Sequence, residues 1–179
     1  DPVQKVSIIS RGMMGGFTRA MPTEDLSLES RKKLMADMVG LLGGRAAEEI
    51  MFDDITSGAS SDIERVTKLA RSMVTRLGMS EKLGPMVYGQ KEEMVFLGRE
   101  ISEQRDYSEA VAQEIDREVQ SAVNLAYQTA KDILVTHKDK LIQVAEKLLE
   151  VETISHEEFE AIFPPPVQKN QGIPVIAQA

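Results

Sequence analysis

The chain contains no cysteine. Disulfide staples and zinc–thiolate sites are therefore excluded, and the fold must hold by packing and hydrogen bonding. There is no tryptophan, and aromatic residues make up only 4%. The core must then come from Leu, Ile, Val, Ala and Met, which fits helices better than a β-sandwich. Basic charge is in deficit, with 21 Lys and Arg against 29 Asp and Glu and a formal net charge of -8. A general nucleic-acid binder needs a basic face to neutralise phosphates, and an anionic lipid surface would repel this chain. No apolar run approaches the roughly 20 residues that span a bilayer, and no signal-peptide pattern stands at the start. Histidine is scarce as well: His137 and His156 are the only two. Neither has the H-E-x-x-H spacing that places two imidazoles on one helix face. His156-Glu157-Glu158-Phe159-Glu160 begins that pattern and lacks the second histidine. Both histidines read as solvated helix-end residues, so these residues hold no complete metal site of their own.

What is present is a 179-residue chain, 42% hydrophobic, enough for one domain with a real core. The β-branched run at 6–10 predicts a short strand. Glycines interrupt the chain at 12, 15 and 16, and 17–21 predicts a second strand stopped by Pro22. A glycine-rich approach to a strand permits close backbone contact with a bound peptide, or it forms a plain β-turn. It lacks a Gly-Lys-Ser/Thr ending and is not a nucleotide loop. A helix is predicted over 27–52, with Leu34, Met38, Leu41, Leu42 and Ala46 as its apolar stripe. Gly43 and Gly44 inside it cost roughly 1 kcal/mol each relative to alanine. Their position predicts another element in close approach, so that Gly44→Leu would lower the melting temperature. Arg45 and Glu49, four apart, predict a buried ion pair.

Farther along, 83–89 and 93–98 predict ordered loops or a small hairpin. The longest helix is expected over 106–137, opened by an Asp106/Glu109 capping pattern. A second helix over 138–150 follows after a short link, which predicts an antiparallel pair. Ser155 with Glu158 predicts the cap of a last short helix, and residues 164–179 predict a disordered tail. The expected fold is mainly α: a domain over 1–163 with a small β element near the N-terminus and a C-terminal helical hairpin.

The chain is organised around Thr56-Ser57-Gly58-Ala59-Ser60-Ser61-Asp62-Ile63-Glu64-Arg65. A small-residue turn runs directly into a helix. Ser61 and Glu64 have capping-box spacing, which predicts Ser61 as N-cap and Asp62 as the first helical residue. Val66, Leu69, Ala70, Met73 and Leu77 recur at helical spacing, and Asp62 falls on their side. An acid on an apolar face is costly unless it is paired or binds a metal. The other reading is that Asp62 complements the helix dipole.

Several segments in order resemble the peptidase domain of the FtsH family, the ATP-dependent, membrane-anchored zinc proteases. They are Val6-Ser7-Ile8-Ile9 with Arg11-Gly12, Gly16-Phe17-Thr18, and Leu41-Leu42-Gly43-Gly44-Arg45-Ala46-Ala47-Glu48-Glu49. The Thr56–Glu64 stretch follows, then Leu77-Gly78-Met79-Ser80, Leu83-Gly84, Phe96-Leu97-Gly98 and Tyr107-Ser108. The resemblance implies zinc held by two histidines of an H-E-x-x-H helix and one downstream aspartate, which corresponds to Asp62. It implies that Gly16, Phe17 and Thr18 belong to an edge strand beside the active site, where unfolded substrate lies extended. Glu48 and Glu49 match a motif near the metal, which implies a supporting role. The H-E-x-x-H helix, whose glutamate would be the general base, is expected just upstream of Asp1. No catalytic residue is then expected within the 179 residues, and the chain alone is expected to be inactive. The ATPase module with its ATP and magnesium, and the membrane segments, are likewise expected outside this chain. The implied setting is a homo- or hetero-hexamer acting on unfolded or membrane-extracted proteins at a bacterial inner membrane, on its cytoplasmic side, or at an organellar membrane. The alternative is a non-catalytic helical assembly module that has lost its metal helix.

Overall fold

A computed structural model describes residues 2–10, 16–21, 28–89 and 106–164. Among them the order is β1 (Val3–Ser7), β2 (Phe17–Ala20), α1 (Arg31–Phe52), α2 (Ser60–Thr75), α3 (Glu109–Thr136), α4 (Lys138–Val151), β3 (Thr153–Ser155) and α5 (His156–Ile162). The protein is mainly α, with one small sheet. The chain divides into two compact units, one of residues 1–25 with 138–179 and the other of residues 26–137.

The larger unit is a helical core. Ser30 caps α1 by accepting from the Lys33 N–H at 3.2 Å. The helix ends at Asp53, which takes the left-handed conformation at φ 52° and donates its N–H to the Glu49 carbonyl; a short polar side chain tolerates that geometry. Leu34, Met38 and Leu42 from α1 meet Val66, Ala70, Met73 and Val74 from α2 and Ile115, Val119 and Ala126 from α3. Complete burial of each larger side chain contributes roughly 1.5–3 kcal/mol. Asp106 does not open α3. Ser108 is the N-cap, and the Asp106 carboxylate accepts from the Gly89 N–H at 2.8 Å. Residues 80–84 form a turn, with a bridge between Ser80 and Gly84. The Ser80 hydroxyl donates to Glu118 at 2.7 Å and fixes this turn to α3. The 93–98 expectation lies outside the described residues.

Two expectations for α1 are corrected. Around Gly43 and Gly44, no described atom lies within 4 Å of where a Cβ would stand. No described element needs the bare backbone there. Glu49 does not take Arg45 as its ion partner: it reaches across to α3, where Lys131 Nζ lies 2.7 Å from its Oε1.

In the smaller unit, the sheet order is β2-β1-β3, both pairings antiparallel. Ile154 and Leu148 are buried there, and α5 packs against β1, with α4 beside β3 and α5. Ser155 and Glu158 form the expected reciprocal capping box on α5. The apolar stripe of α3 is occupied by α1 and α2, and the chain divides between α3 and α4. Of the 164–179 tail, only Pro164 lies within the described residues.

Candidate metal-ligand site

Asp62 lies in the larger unit, in the first turn of α2. The structure corrects its local setting. A 3-10 turn at Ser57–Ala59 precedes the helix, α2 begins at Ser60, and its N-cap Ala59 makes no side-chain capping bond. Ser61 is therefore helical and is not the cap, and Asp62 is the third helical residue. Its position above Val66, Ala70 and Met73 on the helix is as the spacing predicts, since those three are buried. Asp62 itself stays half exposed, its side chain 42% accessible, and its Oδ1 lies 3.7 Å from Arg65 Nη1. Asp62 thus sits in the first turn of α2, and among the described residues its carboxylate has only a long ion pair on its own helix.

The two glutamates at the end of α1 have different partners. Glu48 accepts from Thr56 twice, from the backbone N–H at 3.0 Å and from the hydroxyl at 2.8 Å. Thr56 Oγ1 in turn accepts from the Gly58 N–H at 3.2 Å. These two bonds from Thr56 hold the Glu48 carboxyl below its ordinary range, the backbone bond first. Glu49 accepts instead from Tyr127 and Lys131 of α3. Arg45 and Lys131 flank the Tyr127 ring, 5.9 and 5.5 Å from its centroid. The Lys131 bond and then the Tyr127 bond lower the Glu49 carboxyl, while burial, followed by the Glu49 bond, raises the Tyr127 phenol. Neither Tyr127 nor Lys131 was flagged by the sequence, because each sits in a helical pattern that reads as ordinary amphipathic surface.

Gly16, Phe17 and Thr18 belong to the smaller unit. Phe17 pairs with Ser7 and Thr18 with Val6, so among the described residues β2 is an edge strand with β1 on one side. The glycine has a local reason. A Cβ at Gly16 would stand 2.6 Å from the Ser7 carbonyl oxygen and 3.2 Å from Ile8 Cα. Close approach of β2 to β1 is by itself a reason for glycine at this position.

Among the described residues, no group of three or more His, Cys, Asp or Glu is placed to hold a metal ion. Zinc in a catalytic site takes three protein donors and keeps a fourth position open. Asp62 fits one such donor by chemistry and exposure; the described residues do not complete the set. His156 is engaged elsewhere. His156 Nδ1 lies 2.7 Å from the Val3 carbonyl, and its Nε2 lies 3.5 Å from Glu160, so it joins α5 to β1.

Comparison with known proteins places the chain in a family. A model of peptidase family M41 matches residues 1–162. An ATP-dependent zinc metalloprotease FtsH 1 of Thermomicrobium roseum is 54% identical over 166 residues, covering 93% of this chain and 26% of that protein. FtsH 1 of Sphaerobacter thermophilus is 51% identical over 181 residues, covering 100% and 28%. FtsH of Thermotoga maritima is 49% identical over 164 residues, covering 91% and 27%. The chain therefore spans about a quarter of the length of the curated relatives it matches. These relatives are named zinc metalloproteases, and zinc is the cofactor of the family. Matched over nearly its whole length, the chain belongs to peptidase family M41 and is an FtsH-family peptidase domain.

Proposed function

We propose that this chain is the part of an ATP-dependent zinc endopeptidase that supplies the aspartate ligand of the metal, Asp62, together with the strand that receives substrate. The observation that carries the reading is the state of Asp62. It is a half-exposed carboxylate at the head of a buried helix stripe, paired among the described residues only with Arg65, at 3.7 Å. A hard oxygen donor that is accessible, negatively charged and fixed to a packed helix suits zinc. The two remaining ligands and the general base are the histidines and glutamate of an H-E-x-x-H segment outside these residues. Zinc, when bound, activates water and polarises the scissile carbonyl. This chain's own residues hold the donor in place and present the peptide. Gly16 lets β2 lie tight on β1, which leaves Phe17 and Thr18 on an edge where an extended, unfolded polypeptide can add as a further strand. The assembly we infer is a homo- or hetero-hexamer beneath an ATPase ring. It degrades unfolded or membrane-extracted proteins, with membrane attachment through segments outside this chain. No helix of the described residues is long and apolar enough to cross a membrane.

The test joins the H-E-x-x-H segment of a family member ahead of Asp1 and measures zinc content and cleavage of an unfolded protein. Asp62→Asn is expected to lose zinc and proteolysis while keeping its helical signal. Equal zinc in Asp62→Ala and the parent would remove Asp62 as a ligand and leave a helical assembly module. The 179-residue chain by itself is expected to release no peptides; zinc-dependent cleavage by it would overturn the division of ligands.

A further inference from the structure

We propose that Glu48 is a positioning residue for Asp62, acting through Thr56 and the turn from which α2 starts. This rests on the reading of Asp62 as a zinc ligand and assigns the two adjacent glutamates separate tasks.

The need for such a device comes from α2 itself. Its N-cap is Ala59, which makes no side-chain capping bond. The helix therefore has no cap of its own to fix where its first turn points, although that turn carries Asp62. Core packing from Val66 onward fixes the body of α2, and the turn that precedes it is placed to fix its first residues. There the chain leaves α1 at Asp53, and Asp54 accepts from the next residue's N–H, at 2.7 Å from Ile55 N. The first tie back to a packed element is at Thr56. Both oxygens of the Glu48 carboxylate are used, one on the Thr56 N–H and one on its hydroxyl. Because the hydroxyl proton points at Glu48, a lone pair of Oγ1 is left for the Gly58 N–H. That bond caps the 3-10 turn at Ser57–Ala59, which runs without a break into Ser60. The relay is thus α1, Glu48, Thr56, Gly58, α2, Asp62, with a hydrogen bond or a rigid turn at each step.

The room at Gly58 points the same way. A Cβ there would stand 3.2 Å from Thr56 Oγ1 and 3.8 Å from Glu48 Oε1, so the glycine backbone lies directly over the clamp. Glu49 makes none of these bonds; its partners Tyr127 and Lys131 tie α1 to α3. One glutamate fixes the connection that delivers the ligand, and its neighbour fixes the core.

Outer partners of metal ligands typically change metal affinity about 10- to 100-fold when removed. Two measurements test the assignment. In the full 179-residue chain, Glu48→Gln is expected to speed amide hydrogen exchange at Thr56 and Gly58 about tenfold, the scale of one lost charge-assisted hydrogen bond. In the chain joined to a family H-E-x-x-H segment, chelator competition should show zinc bound about tenfold more weakly in Glu48→Gln and Thr56→Val. Thr56→Ser keeps both donors and is expected to bind as the parent does. The Glu48→Gln/Thr56→Val double variant should be no weaker than either single, because both break one relay. Glu49→Gln should lower the melting temperature and leave zinc affinity unchanged. Unchanged exchange and zinc affinity in Glu48→Gln, or fully additive losses in the double variant, would overturn the relay. Undiminished zinc binding by Asp62→Asn would instead remove the ligand reading beneath it, and Glu48 would be a loop anchor only.

Discussion

At the scale of single residues, the sequence marks charges more readily than it marks their partners. Glu49 and Arg45 sit at the spacing of a helical ion pair, yet the carboxylate is taken by Lys131 and Tyr127 from α3. An i,i+4 pair is a local possibility that any tertiary donor can outcompete. The swap has a consequence for pH. The Lys131 bond and the Tyr127 bond lower the Glu49 carboxyl from its ordinary 4.5, and the Glu49 bond raises the Lys131 amine from its ordinary 10.5. A lowered carboxyl contributes stability that is present above its unfolded value and is lost as pH falls through the folded one. A raised amine contributes stability that is lost as pH climbs through its folded value. The staple therefore holds in full between about 4.5 and 10.5. Its side chains are 29% and 37% accessible, so solvent and salt weaken it. The parent is expected to lose melting temperature more steeply on acidification below pH 4.5 than Glu49→Gln does, with the difference shrinking in high salt. Parallel acid limbs in thermal melts would show that the pair contributes nothing.

At the scale of elements, helical periodicity carried well. The α1 and α2 stripes named from spacing supply Leu34, Met38, Leu42, Val66, Ala70 and Met73 of the buried core. Helix starts were less legible. More than one Ser or Asp stands near each of these starts, and only geometry chooses Ser30 and Ser108 as caps and denies Ser61 that role. The glycine pair in α1 was legible as a cost but not as an open surface, because a propensity penalty does not say whether anything compensates it. With no described atom within 4 Å of an added Cβ at Gly44, the expected sign reverses. Gly44→Ala should stabilise by about 0.5–1 kcal/mol, raising the melting temperature by about 1–4 °C. Gly44→Leu should be tolerated. A clear fall in the melting curve of Gly44→Ala would mean that a partner chain packs on that backbone. The relation of Asp62 to its clamp is legible only in part: the acid stands out by position, whereas nothing in the spacing marks Thr56 as donating twice to Glu48.

At the scale of the whole molecule, the long-range pairing of strands was the least legible feature. Thr153-Ile154-Ser155 is too short for a period to show, and its partner β1 lies at the other end of the described chain, with Lys5 opposite Ser155 and Ser7 opposite Thr153. Ser7 is buried, and its hydroxyl is 2.9 Å from that of Thr153 and 3.3 Å from the Glu152 carbonyl. These bonds make the last elements part of the support of the first. Without β3, the remaining β1–β2 ribbon is a two-stranded hairpin, which is marginal in water. The helical core, by contrast, draws all its clustered residues from Leu34 to Ala126. Ending the chain at Val151 should therefore speed amide exchange across Val3–Ser7 and Phe17–Ala20 while α1, α2 and α3 keep their protection. Because β2 is the strand proposed to receive substrate, the same truncation should weaken capture of an extended peptide without weakening the metal ligand on α2. Protection at Val6 and Thr18 that survives the truncation would show instead that the hairpin stands without its third strand.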